Sequence, residues 1–322
     1  MAKGLRQISE SLNSVDLVVE VRDARIPLSS INPNFEKVVG KKQRLIVYNK
    51  FDLCDPSTKS PILNAFKKHA PATPVVFTSC LTDNNMKSIL KHAAHMADPI
   101  PQVTLMVVGM PNVGKSSLIN ALRRVGVGKG KAAATGAQPG ITRKVANTAI
   151  KVLENPTVYL MDTPGVMVPH IADPVRSLKV AVTGGIRDHL SDEQIMADYL
   201  LYRLNLFGAY DYATWFRLPQ EQPTNDVHEL LEGVAKRVGA ISKGGVLDHT
   251  LAAKFFLKHY RTGKLGRFTL DDVSPQALDQ FFEKQQMFNT SGQAGDLSRR
   301  QEKKLAKLEQ RKKARISNAM EN

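Results

Sequence analysis

TLMVVGMPNVGKSSLIN, residues 104–120, passes from an apolar strand-like run through a glycine-bounded loop into a helix-like segment. Residues 109–116 fit G-x-x-x-x-G-K-(S/T), a pattern whose glycines let the backbone turn tightly enough for several N–H groups to converge on phosphate oxygens. The start of the following helix adds a field that favours negative charge. Lys115 is then placed to neutralise β/γ-phosphate oxygens and Ser116 to hold Mg2+. Asn112, Val113, Gly114, Lys115, Ser116 and Ser117 are the residues of this loop expected at a nucleotide.

On either side of the loop, apolar runs recur at 16–21 (DLVVEV), 44–49 (RLIVYN), 74–79 (PVVFTS), 148–153 (TAIKVL) and 157–162 (TVYLMD). Helix-like segments lie at 61–69, 84–96 and 115–124. Strands alternating with helices, and apolar on both faces, predict an α/β fold built on a doubly wound parallel sheet. Ligands in such sheets sit outside the carboxyl ends of the strands. Four short motifs fall there: Asn49-Lys50-Phe51-Asp52, Thr78-Ser79-Cys80, the phosphate loop, and Asp162-Thr163-Pro164-Gly165.

Each motif has a chemical reason. A carboxylate at Asp52 only accepts hydrogen bonds, which matches the N1–H and exocyclic NH2 of guanine, a donor pair adenine does not offer on that edge. Asn49 can donate to the base and tie neighbouring loops together, while the Lys50 stem can cover the ring. Ser79 and Cys80 can add a backbone contact to the base oxygen. D-x-x-G is uninformative by itself, but downstream of a phosphate loop Asp162 can reach the magnesium shell and the Gly165 N–H can sense the γ-phosphate. Between them, GKGKAAATGAQPGITR (128–143) has no apolar period and reads as a switch loop, with Thr142 closing on Mg2+ when triphosphate is bound. Together the motifs predict a GTP site in which Lys115, Thr142 and Gly165 serve hydrolysis. The base reader is written before the phosphate loop, which a sheet tolerates because chain order matters little where termini are close and connections short.

At 322 residues the chain exceeds one average domain. SDEQIMADYLLYRLN (191–205) opens with Ser191 and Gln194 at capping-box spacing, followed by an apolar stripe at Ile195, Tyr199 and Leu200. DVHELLEGVAKRVG (226–239) places Val227, Leu230, Leu231, Val234 and Val238 on one face and stops at Gly239. DHTLAAKFFLKHYRTG (248–263) repeats the plan, with Asp248 as N-cap and Gly263 after the last turn. The expected organisation is a nucleotide domain over 1–173, a small helical domain over 174–290 and a basic tail over 291–322. Lys and Arg dominate residues 299–315, and its leucines are too few to bury a face, so the tail is expected to order against a polyanion. A net charge of +15 and a pI of about 9.7 favour nucleic acid or an anionic membrane surface as partner. No apolar run approaches the ~20 residues of a membrane span. Cys54 and Cys80 are the only cysteines, with no CxxC and no His at ligand spacing, which argues for a reducing compartment and against a zinc site. The opening MAKGLRQISESLNS lacks a secretory h-region.

Taken in order, NKFD, TSC, GMPNVGKSS, PGIT and DTPGV resemble the circularly permuted GTPases of the YlqF/RbgA group, especially its mitochondrial ribosome-associated members. The flanking MAKGLRQISESLNSVDLVVEVRDARIPLSSINP, MADYLLY and RTGKLGRFTLDD extend the resemblance over roughly residues 1–275. It implies a P-loop GTPase domain with motif order G4-G5-G1-G2-G3, followed by a small helical domain. It also implies GTP hydrolysis coupled to late maturation of the large ribosomal subunit and stimulated by that particle. The implied ligands are GTP/GDP and Mg2+, with K+ held near the phosphates by Asn112. The implied partners are the large-subunit precursor and its rRNA, ribosomal proteins and other assembly factors, the chain being a monomer off the ribosome. The location implied is the mitochondrion, in the matrix or at the matrix face of the inner membrane, with a bacterial-type cytoplasmic assembly GTPase as the alternative. Lys115, Ser116, Thr142 and Asp162 go to the phosphates and Mg2+, and Asn49, Lys50 and Asp52 to guanine.

Two departures bear on turnover. Val166 follows DTPG where many GTPases carry the Gln that orients attacking water, so slow intrinsic hydrolysis is expected. Relatives carry a His just before the MAKG-like stretch, which a sequence starting at Met1 does not include. Water positioning is therefore expected from upstream of this stretch or from the partner. A P-loop small-molecule kinase would need an acceptor pocket and a lid, and a membrane-surface regulator a lipidation motif or amphipathic anchor.

Overall fold

A computed structural model describes residues 2–32, 35, 38–40, 42–97, 102–133, 149–163, 171, 173–186 and 188–289. Six strands, β1 (Leu17–Asp23), β2 (Arg44–Asn49), β3 (Val75–Phe77), β4 (Gln102–Gly109), β5 (Ile150–Leu153) and β6 (Thr157–Asp162), form one sheet in the order β3-β2-β1-β4-β6-β5. Neighbours run parallel except β5, which is antiparallel to β6. The doubly wound parallel sheet expected is present, with one antiparallel strand added at this edge. Only residues 154–156 join β5 to β6, and a parallel pair needs a crossover of about a dozen residues or more.

Every residue of β1 is buried, as a central strand covered on both faces requires. Strand alternation divides the sheet's side chains between two layers. Val19 and Val21, with Val47, Leu105 and Val107, pack toward α3 (Met86–Ala97) and α4 (Lys115–Val127). Val18, Met106 and Val108 face the other way, onto Ile8 and Leu12 of α1 (Ala2–Leu12). On that side Ile46, Tyr48 and Phe77 meet α2 (Lys59–His69). β1 also carries Glu20 and Arg22 into the interior, and they are tolerated there because they are paired. Arg22 Nε donates to Glu20 at 2.7 Å and its Nη1 to the Tyr48 hydroxyl at 3.2 Å, while Arg44 reaches Glu20 at 3.2 Å. Burial alone would raise the Glu20 carboxyl, but the two guanidiniums hold it below its ordinary range.

The second half is helical: α5 (Pro174–Val182), α6 (Glu193–Leu206), α7 (Asp211–Trp215), α8 (Val227–Val238), α9 (His249–Arg261) and α10 (Pro275–Asn289). Asp248 caps α9 and Gly239 ends α8 at φ 71, as the sequence predicts. The start of α6 differs. Asp192 is the cap, accepting from the Gln194 and Ile195 N–H groups, in place of Ser191. Ile195 is 56% exposed, and Met196, Leu200, Leu201 and Leu204 form the buried face. This helix is apolar at 195 and 196 alike, so its periodicity did not decide which face turns inward. α10 runs back to the sheet: Leu278 and Phe282 join Phe66 and Phe77, and Asp279 binds Lys68 at 2.9 Å and His69 at 2.6 Å. Among the described residues, no helix is long and apolar enough to cross a membrane.

Candidate functional site

Sheet register brings the motifs to one edge. Asp23 lies opposite Asn49, Val21 opposite Gly109, and Val107 opposite Asp162. The carboxyl ends of β2, β1, β4 and β6 therefore sit side by side, and the loops that leave them meet above β1 and β4.

In the phosphate loop, Gly114 stands at φ 98, and a Cβ there would overlap the Asn49 side-chain amide. The glycine is demanded by the contact between the two loops as well as by tight turning. Asn112 takes a left-handed backbone conformation at φ 58, and its Nδ2 donates to the Gly184 carbonyl at 3.1 Å. Lys115 is buried, with Nζ donating to the Met110 carbonyl at 2.8 Å. Burial pushes its ammonium down to about 8 against the pull of Asp162, and the charge on Lys50 adds to the depression. Ser116 Oγ donates to Asp162 Oδ2 at 2.7 Å. A hydroxyl and a carboxylate oxygen converging in this way are the hard donors that Mg2+ takes. Thr163 Oγ1 donates to the Val107 carbonyl at 2.6 Å and fixes the chain just past Asp162. Val113 is buried, and Ser117 lies half-buried in the first turn of α4.

The base-side loop is knitted to the phosphate loop. Asn49 Nδ2 donates to the Val113 carbonyl at 2.9 Å, and its Oδ1 accepts the Cys80 N–H at 3.3 Å, so one amide joins three loops. Lys50, left-handed at φ 61, donates from Nζ to the Asn112 carbonyl at 2.6 Å and to Asp23 at 2.9 Å. Asp52 is half-buried in a short 3-10 turn, Phe51–Leu53. The Phe51 N–H donates to the Thr78 carbonyl at 3.0 Å, and Ser79 is buried beside it. Burial pushes the Cys54 thiol up to about 11 and the Cys80 thiol to about 12, so both are protonated at neutral pH. Thr142, Gly165 and Val166, with the tail at 291–322, lie outside the described residues.

Several residues that the motifs did not single out belong to the same constellation. Asp23 accepts from Arg25 through the backbone N at 3.0 Å, Nε at 2.9 Å and Nη2 at 2.7 Å, besides Lys50. Burial would raise its carboxyl, but the two cations hold it far below the carboxylate range. Arg25 reaches on to the Thr183 carbonyl at 3.1 Å and lies over the Tyr260 ring at 5.6 Å. A signal for this pair was present in RDAR, because charges directly after an apolar central strand are costly unless partnered. Arg261 of α9 donates to the Ala181 and Val182 carbonyls at 2.9 and 2.8 Å and grips Asp188 with two hydrogen bonds. The end of α5 is thereby clamped where Thr183 and Gly184 touch Arg25 and Asn112. Asn120 in α4 accepts the N–H groups of Ala132 and Ala133 at 2.9 Å, holding the chain beyond that helix. A single Asn inside a helix gives no hint of such a role.

Residues 104–232 match the family model described as 50S ribosome-binding GTPase. That match starts inside β4 and leaves the base-side strands outside it. Across 296 residues the chain is 42% identical to mitochondrial ribosome-associated GTPase 1 of Mus musculus, covering 85% of this chain and 89% of the relative. Ribosome biogenesis GTPase A of Priestia megaterium is 33% identical over 286 residues, with coverage of 85% and 95%. The crystal structure of GNP-bound YlqF from T. maritima matches at a TM-score of 0.60 and 26% identity, over 84% of this chain and 99% of that one.

Proposed function

The chain belongs to the circularly permuted GTPases of the YlqF/RbgA family, and from that premise we propose that it hydrolyses GTP as an assembly factor for the large ribosomal subunit of mitochondria. The observation that carries the reading is the knitting of the base-side and phosphate loops by Asn49 and Lys50, with Ser116 and Asp162 in contact at the far side.

The residues divide the work. Asp52 accepts from the guanine N1–H and NH2, and the backbone at Ser79 and Cys80 meets the base oxygen. N–H groups of residues 112–117 and the Lys115 ammonium receive the phosphates. Ser116, Asp162 and Thr142 would hold Mg2+, which would supply positive charge against the phosphates. The Gly165 N–H senses the γ-phosphate. The Asn112 carboxamide, whose nitrogen donates to Gly184, would use its oxygen for K+, and KCl is expected to raise turnover over NaCl. Val166 cannot orient water, so turnover is slow until the ribosomal particle stimulates it.

The charge of +15 supports rRNA of the large-subunit precursor as the surface gripped, with ribosomal proteins and other assembly factors alongside. The nucleotide domain spans 1–173, the RNA-facing helices 174–290 and the basic tail 291–322. The place of action is the matrix, or the matrix face of the inner membrane, and off the ribosome the protein is a monomer. Co-sedimentation with mitochondrial large-subunit precursors in GTP, GDP and a non-hydrolysable analogue tests this. Binding is expected to be strongest with the analogue and weakest with GDP, and binding indifferent to the nucleotide would end the assembly reading. Asp52→Asn is expected to shift preference from guanine to xanthine nucleotides. Guanine preference left intact would defeat the base assignment.

A further inference from the structure

The segment 263–271, between α9 and α10, lies against the turn that carries Asp52. Arg267 Nη2 donates to the Phe51 carbonyl and its Nε to the Cys54 carbonyl, each at 3.0 Å. The Phe268 N–H donates to the Leu53 carbonyl at 3.3 Å. The carbonyls on either side of Asp52 are thus all held by one distant stretch of chain. The Phe51 ring is pinned as well, with the Arg267 and Lys59 cations at 6.0 and 5.8 Å and the Phe77 ring at 5.2 Å.

The segment is itself fixed at its other end. The Leu270 N–H donates to the Arg25 carbonyl at 2.8 Å, and Arg203 of α6 donates to the Leu270 carbonyl at 2.7 Å. Asp271 accepts from the Leu28 N–H at 2.8 Å, the Ser29 N–H at 2.7 Å, the Ser29 hydroxyl at 2.6 Å and Lys179 at 3.0 Å. The Phe268 ring stacks on Phe207 at 5.3 Å.

We propose that this strap, acting through Arg267, is the positioning element for guanine selection: it sets where the Asp52 carboxylate stands. The inference rests on the reading of Asp52 as the base acceptor. A three-residue 3-10 turn leaves most of its carbonyls without partners of their own and frays unless donors are supplied. A planar guanidinium bound to two carbonyls fixes their separation, which the point charge of a lysine does not do. The base then meets a carboxylate that is already oriented.

The test is stopped-flow release of ribose-labelled guanosine and inosine diphosphates from the full chain, in wild type, Arg267→Ala and Arg267→Lys. Hypoxanthine keeps N1–H and lacks the exocyclic amine, so the ratio of the two release rates reads the grip of Asp52. Arg267→Ala is expected to release the guanosine form roughly ten-fold faster while the inosine form changes much less. Arg267→Lys falls between the two. Arg267 is exposed, so its loss leaves the core intact. Unchanged rates, or both rates rising equally with the ratio kept, overturn the strap while the base assignment stands. A wild type that does not distinguish the two bases overturns the Asp52 reading and this proposal with it.

Discussion

Lys115 has to carry positive charge where water does not reach. Its ammonium falls from an ordinary 10.5 to about 8, chiefly through burial. Between those values the unfolded chain keeps the proton and the folded chain has released it, so this residue's contribution to stability rises with pH through that window. Below it, the folded protein bears the cost of a buried charge, which a triphosphate relieves. GTP-analogue binding is therefore expected to take up a proton above pH 8, and affinity to fall by up to about ten-fold per pH unit from there. Calorimetry in two buffers of unlike ionisation enthalpy measures the uptake; none at pH 9 would mean that Lys115 is already charged before the ligand arrives. Lys115→Ala is expected to remove both most of the binding and this pH dependence. That Lys115, Asn49 and Asp52 lie on loops that meet was legible, because each motif is contiguous and falls at the carboxyl end of a strand. The reach of Arg25 to Thr183 and of Arg267 to Cys54 was not, because those partners stand 158 and 213 residues away, where no local pattern records the contact.

Among the elements, α4 matters twice, once for the loop at its start and once for the strand beneath it. Gly126 in its last turns lies so close to β5 that a Cβ would overlap the Val152 carbonyl. On an open helix surface Gly to Ala gains up to about 1 kcal/mol. Here Gly126→Ala is expected instead to cost about 1–3 kcal/mol, because the helix must be levered off the sheet. Urea unfolding reads the sign, and a stabilised variant would show that α4 slides freely over β5. The strands of this sheet were legible from apolar runs bounded by turn residues. The direction of β5 was hidden in the brevity of a connection, and the inward face of α6 in two adjacent apolar residues. The place of α10 was hidden too, since its pattern matches its helical neighbours while its partner Lys68 lies 211 residues before Asp279.

For the molecule as a whole, the charge of +15 is the widest-acting feature. Neutralising RNA phosphates releases counterions, so subunit binding is expected to fall at least ten-fold between about 50 and 200 mM salt. Deleting residues 297–322 is expected to weaken that binding several-fold and flatten its salt dependence, with GDP affinity unchanged. Sedimentation across a KCl series separates the outcomes, and binding untouched by the deletion would remove the tail from the interface. The strap at 263–271 also imposes a timetable on synthesis. A translating ribosome delivers the turn at Phe51–Leu53 first, the glycine-bounded loop at 109–116 next and the brace for that turn well after both. Until residues 267 and 268 have emerged, the Leu53 and Cys54 carbonyls lack these donors and the Phe51 carbonyl keeps only the Cys54 thiol. The turn at Phe51–Leu53 is thus completed only after α5 to α9 have been made.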